Sequence, residues 1–125
     1  MTATRETGSA TVLTLGAVAS VVTVLTGVLV VVSTVRDVHR ARGAADLAAL
    51  AASGPLPAGG GADCGVGAAV AAANGAVLTR CAPGPGGSVL VTAEVARSWP
   101  PRWGWLPATV SARARAGLVD DGLPP

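Results

Sequence analysis

The sequence predicts an α+β fold: a long N-terminal membrane-spanning helix, then a small head of one helix and about three mostly antiparallel strands. Three observations lead to this prediction. Residues 10–35 contain no charged side chain. An alanine-rich segment then ends at Asn74-Gly75, a typical helix stop. Two later segments, 88–97 and 109–116, alternate apolar with polar residues, as half-buried strands do.

The uncharged stretch from Ala10 to Val35 exceeds the ~20 residues that a helix needs to cross a bilayer. Backbone polar groups in lipid must be satisfied within the segment, so a helix is expected there. A buried core helix would need a large surrounding domain, which a chain of 125 residues cannot supply. The stretch is also too long for an ordinary secretory signal, and no A-x-A-like cleavage site follows it. We therefore interpret it as a retained transmembrane helix.

The helix is expected to continue through 36–52, a proline-free segment rich in alanine and leucine. Asp37 lies three residues before Arg40, a spacing at which the two side chains can pair along a helix. Apolar residues of this extension that are spaced by three, four or seven can share one stripe of the helix. Its members are Val35, Val38, Ala45, Ala49 and Ala52.

A compact head is predicted after a Gly/Pro linker, residues 53–62. Asp63 can cap a helix that runs to Asn74. Residues 76–81 read as a first strand, and 83–87 (PGPGG) as a turn. In the second strand, valine and alanine at 89, 91, 93 and 95 face one side. The predicted segments are a polar N-terminus (1–9), the transmembrane helix (10–35), its extension (36–52), the linker (53–62), the head (63–117) and a flexible tail (118–125).

Two cysteines, Cys64 and Cys81, lie outside the predicted span. An even pair in a small glycine-rich region favours a disulfide in an oxidising compartment, and two free thiols in a reducing one are the alternative. A disulfide closing a loop of this length stabilises a fold by ~3 kcal/mol on the chain-entropy estimate. Such a contribution matters in a core of alanine and valine, because these side chains bury little apolar area.

Composition argues against several classes of function. The net charge of +2 is small and the arginines are scattered, so no nucleic-acid footprint is present. His39 is the only histidine and lies at the predicted membrane edge, away from any nucleophile. No phosphate-binding glycine motif or metal-ligand set occurs. We therefore predict a non-enzymatic protein with no cofactor, no metal and no small-molecule substrate.

The remaining candidate residues are aromatic or basic. Trp99, Trp103 and Trp105 are the only aromatic residues of the chain, and they lie within one predicted loop. They either cap the sheet or contact a partner or the membrane interface, two settings in which tryptophan is enriched. Arg113 and Arg115 share one face of the third strand; they are either solvated or paired with Glu94, or they contact a partner.

Several motifs carry a resemblance to a known family. The chain enters its span as GSATVLTLGAVA, and RARGAADLAALAA follows the span, with the segment AADLAALA at residues 44–51. The run AAVAAANGAVLTRC then ends at Cys81, and ARARAG closes the head at residues 112–117. In these features the chain resembles the actinobacterial TadE-like proteins of the Flp pilus-assembly TadE/G-like family, the group encoded near secretion and helicase genes.

The resemblance implies a pilin-like plan and a structural role as a minor component or assembly factor of a Flp/Tad-type pilus or secretion apparatus. It implies partners in the bilayer and among other pilus or secretion subunits, through both helix and head. It also implies possible processing between Gly8 and Ser9. Proteins of this class typically carry a glutamate at the fifth mature position, where this chain has Leu13. Processing and polymerisation therefore stay open.

The orientation signals disagree. Arg36, Arg40 and Arg42 follow the span, and the positive-inside rule would place the head in the cytoplasm. The cysteine pair and the resemblance favour an extracytoplasmic head on a single-pass protein of the cell membrane, and this is our prediction. The alternative is a cytoplasm-facing membrane-anchored adaptor or regulatory protein with reduced cysteines.

Overall fold

A computed structural model describes residues 7–54, 61–99 and 104–117. The chain forms two compact units, Met1–Ser33 and Thr34–Pro125. The elements are α1 (Thr7–Ala52), α2 (Cys64–Ala73), β1 (Val77–Pro83), β2 (Val89–Ala96) and β3 (Thr109–Ala116). β2 is the central strand and pairs antiparallel with both others. The predicted α+β fold is confirmed. The predicted tail, most of the linker and most of the polar N-terminus lie outside the described residues.

The C-terminal part of α1 carries the helical half of the core. Six alanines spaced by three or four residues are buried there, because each successive turn returns them to one face of the helix. They are Ala41, Ala44, Ala45, Ala48, Ala49 and Ala52. The predicted stripe is therefore correct at its three alanines. Val38 is half-buried and Val35 is 49% exposed, and the residue on the buried face at that level is Asp37.

The sheet supplies the other half of the core through β2. Its burial alternates as the sequence predicts, and Val89, Val91, Ala93 and Val95 are all buried. The inward residues of β3 pack against this cluster, so the observed third strand coincides with the predicted one. No phenylalanine or tyrosine is present in the chain. The core is therefore thin, with ~1.5–3 kcal/mol from each buried valine.

β1 departs from the simple alternation that its sequence suggests. It is longer than the predicted strand, and its pairing with β2 shifts register between Leu78 and Arg80. Leu78 pairs with Ala93 and Cys81 pairs with Val91, both on the buried face of β2. In a regular strand, residues three apart would face opposite sides of the sheet. The bulge therefore turns both Leu78 and Cys81 toward the core.

α2 is capped at both ends, by a side chain at its N-terminus and by backbone hydrogen bonds at its C-terminus. The Asp63 side chain accepts a hydrogen bond from the Val66 amide (3.1 Å), which confirms the predicted N-cap. At the other end, Gly75 adopts φ +71°, and the Ala76 amide donates to the Ala71 carbonyl (3.0 Å). This is the Schellman arrangement, in which a glycine satisfies the last carbonyls of a helix. The predicted stop at Asn74-Gly75 is thus confirmed.

α2 also approaches the backbone of α1 closely at a glycine. A Cβ built at Gly67 would lie 3.1 Å from the Ala48 carbonyl oxygen and 3.1 Å from the Ala52 Cβ. The Asp63 amide donates to the Ala52 carbonyl (3.0 Å) at the same crossing. Small residues at this crossing allow a core of alanines to be close-packed, because they let the two helix backbones approach.

Candidate functional site

The cysteine pair forms the covalent link of the head. The structure joins Cys64, the first residue of α2, to Cys81 in β1, with their Cα atoms 5.9 Å apart. That separation lies in the usual range for a disulfide. The bulge described above is what brings Cys81 to the inward face of β1. The disulfide thus fixes α2 against the edge of the sheet.

The N-terminal part of α1 has the character of a lipid-facing helix. From Gly8 to Leu29 every residue is exposed in the structure, and large aliphatic side chains dominate. The hydroxyls of Thr14, Thr23 and Thr26 each donate to the carbonyl four residues earlier, at Ala10, Ala19 and Val22. These polar groups are thereby satisfied without water. By length and composition, α1 is a helix that could cross a membrane.

The candidate processing site lies at the start of this helix. Gly8 and Ser9 belong to the first turns of α1 and are exposed. Leu13, at the position where the resemblance implies a glutamate, is 71% exposed. Cleavage between Gly8 and Ser9 stays a prediction.

A buried carboxylate joins α1 to the end of β2. Asp37 is 2% exposed. It accepts hydrogen bonds from the Ser98 amide (2.9 Å) and from the Ser98 hydroxyl (2.8 and 2.9 Å to its two oxygens). The predicted pairing of Asp37 with Arg40 is therefore wrong, because Asp37 lies on the buried face of the helix. A carboxylate in such a place needs donors, and Ser98 supplies them.

Sequence reasoning missed this contact, although one signal was available. The alanine stripe, extended back by one helical turn from Ala41, reaches Asp37. An acid in line with a buried stripe requires a polar partner from another element. Its partner is 61 residues away in the chain, and no local pattern identifies which serine that is.

The tryptophans lie in the connection between β2 and β3. We call residues 97–108 the tryptophan loop; the structure describes 97–99 and 104–108 of it. Trp105 is 74% exposed and Trp99 is 37% exposed, whereas Trp103 lies outside the described residues. The alternatives of a cap on the sheet and of a contact with a partner or the membrane interface stay open for these two residues.

The two candidate arginines of β3 differ in their contacts. Arg115 donates from Nε to the Ser88 hydroxyl (2.8 Å) and from Nη2 to the Pro85 carbonyl (2.9 Å). It therefore holds the turn between β1 and β2, and the predicted alternative of pairing with Glu94 is wrong for this residue. Arg113 lies instead in an open polar cleft of about 300 Å³ on the outer face of the sheet. The cleft is lined by Thr79, Arg80, Thr92, Glu94, Ser111 and Arg113.

Comparisons of the chain with protein-family models, with curated proteins and with solved structures found no match. Among the described residues, no group of three or more histidine, cysteine or acidic side chains is placed to hold a metal ion. His39, on the helix extension, is exposed.

Proposed function

We propose that this protein is a single-span, membrane-anchored and non-enzymatic structural component, similar to TadE-like minor pilins or assembly factors of a Flp/Tad-type pilus or secretion apparatus. In this proposal the N-terminal part of α1 lies in the bilayer and packs with other subunits. The disulfide-linked head projects from the membrane and contacts further components of the same assembly. No nucleic acid, cofactor or small-molecule substrate takes part.

One observation carries the proposal: the N-terminal and C-terminal parts of the single helix α1 differ in the residues that they expose and bury. From Gly8 to Leu29 its side chains are exposed and mostly apolar, and the hydroxyls of Thr14, Thr23 and Thr26 are satisfied within the helix. From Asp37 to Ala52 it carries a buried stripe that forms half of the core of the head. A helix that is apolar and exposed in its N-terminal part and that supplies half of the core of the head in its C-terminal part suits a membrane-anchored structural subunit.

The orientation we propose is extracytoplasmic for the head. The disulfide supports it, since such bonds persist in oxidising compartments and are rare in the cytosol. The rival is the cytoplasm-facing adaptor or regulatory protein, which the arginines after the span favour. A Ser111→Cys variant separates the two, because Ser111 is exposed and the native cysteines are paired. Labelling by a membrane-impermeant maleimide in intact cells is expected; labelling only after lysis would favour the adaptor.

The structural role is tested by co-isolation in mild detergent. Wild-type protein is expected to bring down other pilus or secretion subunits, and recovery as a lone monomer would contradict the proposal. A Gly16→Leu variant sharpens the test. A Cβ at Gly16 meets nothing within 4 Å in the chain itself, so the substitution leaves the monomer intact while blocking close approach of a partner helix. Val24→Leu, at a position 64% exposed on the same helix, is the matched control and should not reduce co-isolation.

A further inference from the structure

The tryptophan loop is held beside the point where α1 leaves its apolar stretch. Asp37 is two residues beyond Val35, the last residue of the uncharged stretch. The amide and hydroxyl of Ser98 both bind the Asp37 carboxylate at 2.8–2.9 Å. All of these residues belong to the unit Thr34–Pro125. Trp99, the neighbour of Ser98, is therefore held close to the end of the apolar stretch.

The base of the loop is closed by a second set of contacts. Ala96 pairs with Thr109 across the two strands. The Arg97 amide donates to the Ala108 carbonyl (2.9 Å), and its Nε donates to the Pro107 carbonyl (3.0 Å). Trp105 lies only two residues before Pro107. Both described tryptophans are thus attached to a fixed base at the same end of the sheet.

The composition of this region is typical of a membrane interface. Trp99 and Trp105 are exposed, and every aromatic residue of the chain lies in this loop. Indole rings are enriched at the headgroup level of bilayers, where one part of the ring is in apolar and the other in polar surroundings. Arg36 is exposed at the end of the apolar stretch. Its long side chain can extend to lipid phosphates.

We propose that the tryptophan loop is a second membrane contact, in which Trp99 and Trp105 lie at the headgroup level of the same bilayer that α1 crosses. This inference rests on the proposed function, because it requires α1 to span the membrane. The Asp37–Ser98 contact positions the loop, and the tryptophans bind the lipid. Two points of attachment then fix the head against the membrane surface, so that subunits present their heads in one orientation.

The chain allows a test without an added label. With no tyrosine and three tryptophans, all in this loop, its tryptophan emission reports on the loop alone. The oxidised full chain is reconstituted in vesicles of phosphatidylcholine and phosphatidylglycerol. The expected result is a blue-shifted emission, quenched more strongly by lipid brominated near the glycerol end of the acyl chain than by lipid brominated near the methyl end. Quenching by aqueous iodide as complete as for a free tryptophan derivative, with none by either brominated lipid, would overturn the proposal. That is also the outcome expected if the loop binds a protein partner instead.

Variants assign the effect to residues. W103F with W105F leaves only Trp99, and W99F with W103F leaves only Trp105. The emission of each variant should still be quenched more strongly by the lipid brominated near the glycerol end than by the lipid brominated near the methyl end. Ser98→Ala removes the hydroxyl that binds Asp37. It should reduce the quenching of tryptophan emission by the lipid brominated near the glycerol end. Ser111→Ala, the same change on the exposed face of β3, should not. Equal quenching in the two alanine variants would overturn the role of the Asp37–Ser98 contact in positioning the loop.

Flotation of the same vesicles separates this inference from the proposed function. Wild-type protein that fails to float with vesicles after a carbonate wash has no membrane span, and the proposed function then fails. Protein that floats, while its tryptophans stay fully accessible to iodide, retains the span but refutes the second membrane contact.

Discussion

The hydrogen bonds between Asp37 and Ser98 should make a large contribution to the stability of the head. The carboxylate is buried, and Ser98 donates to it from both its amide and its hydroxyl. Ser98→Ala removes the hydroxyl and leaves the amide as a donor. A hydrogen bond to a charged group contributes ~1.5–3 kcal/mol, so we expect a loss of about 2 kcal/mol in the free energy of unfolding.

The measurement is urea unfolding of the oxidised full chain in mild detergent, followed by tryptophan emission. With a slope of ~1–3 kcal/mol per molar urea for small proteins, the midpoint of Ser98→Ala should fall by about 1 M at an unchanged slope. Ser111→Ala again serves as the control, since Ser111 lies exposed on the outer face of the sheet. Its free energy of unfolding should stay within ~0.5 kcal/mol of that of the wild type, as for ordinary surface substitutions.

A double-mutant cycle distinguishes the contact from an unrelated effect of either side chain. Asp37→Ala removes the buried carboxylate, and the double variant removes both partners at once. The amide of residue 98 loses its acceptor in Asp37→Ala and in the double variant alike, so the cycle isolates the bonds between the Ser98 hydroxyl and the carboxylate. The double variant should therefore be more stable than the sum of the single losses predicts, by ~1.5 kcal/mol or more. Additive losses, or a Ser98→Ala midpoint equal to that of Ser111→Ala, would refute the reasoning.

Three further predictions concern α2 and the disulfide. Replacing Cys64 and Cys81 by serine should cost ~3 kcal/mol, and reduced wild-type protein should show the same urea midpoint as the double-serine variant. Gly67→Ala should lower the free energy of unfolding by ~1 kcal/mol or more, because its Cβ would meet α1. Gly65→Ala, at an exposed position of the same helix, should raise it by ~0.5–1 kcal/mol. Equal urea midpoints for the two variants would contradict the close approach of the helices. Asp63→Ala should cost ~1 kcal/mol and speed amide exchange in the first turn of α2.

Local patterns were sufficient to predict most of this fold. The alternation in β2 and β3 is a property of neighbouring residues, so both strands were found, with the inward faces assigned correctly. The caps of α2 were also predicted, because a cap depends on one side chain or one glycine next to the helix end. The preferred cysteine pairing agrees with the structure, since only two cysteines exist.

The features that the sequence did not reveal depend on distant residues. The bulge at Leu78/Arg80 exists because Cys81 must meet Cys64 while Leu78 stays on the core, and neither requirement is visible in the strand itself. Similarly, the spacing of Asp37 and Arg40 is typical of a helical pair, but the sheet places Ser98 beside Asp37. Alternation alone groups Arg115 with Arg113, yet Arg115 donates to the turn from Pro85 to Ser88, whereas Arg113 lines the polar cleft that Glu94 also lines.

The composition of the core links stability to orientation. The largest side chains buried in β2 are three valines, and α1 contributes only alanines to the buried cluster. Small domains have only ~5–15 kcal/mol of net stability, so a disulfide worth ~3 kcal/mol is a substantial fraction for so thin a core. A cytosolic head would have its cysteines kept reduced and would lose that fraction. The two orientations therefore predict different stabilities for the same head in its own compartment. The proposed extracytoplasmic orientation would give this alanine and valine core its covalent support, and the cytoplasmic alternative would not.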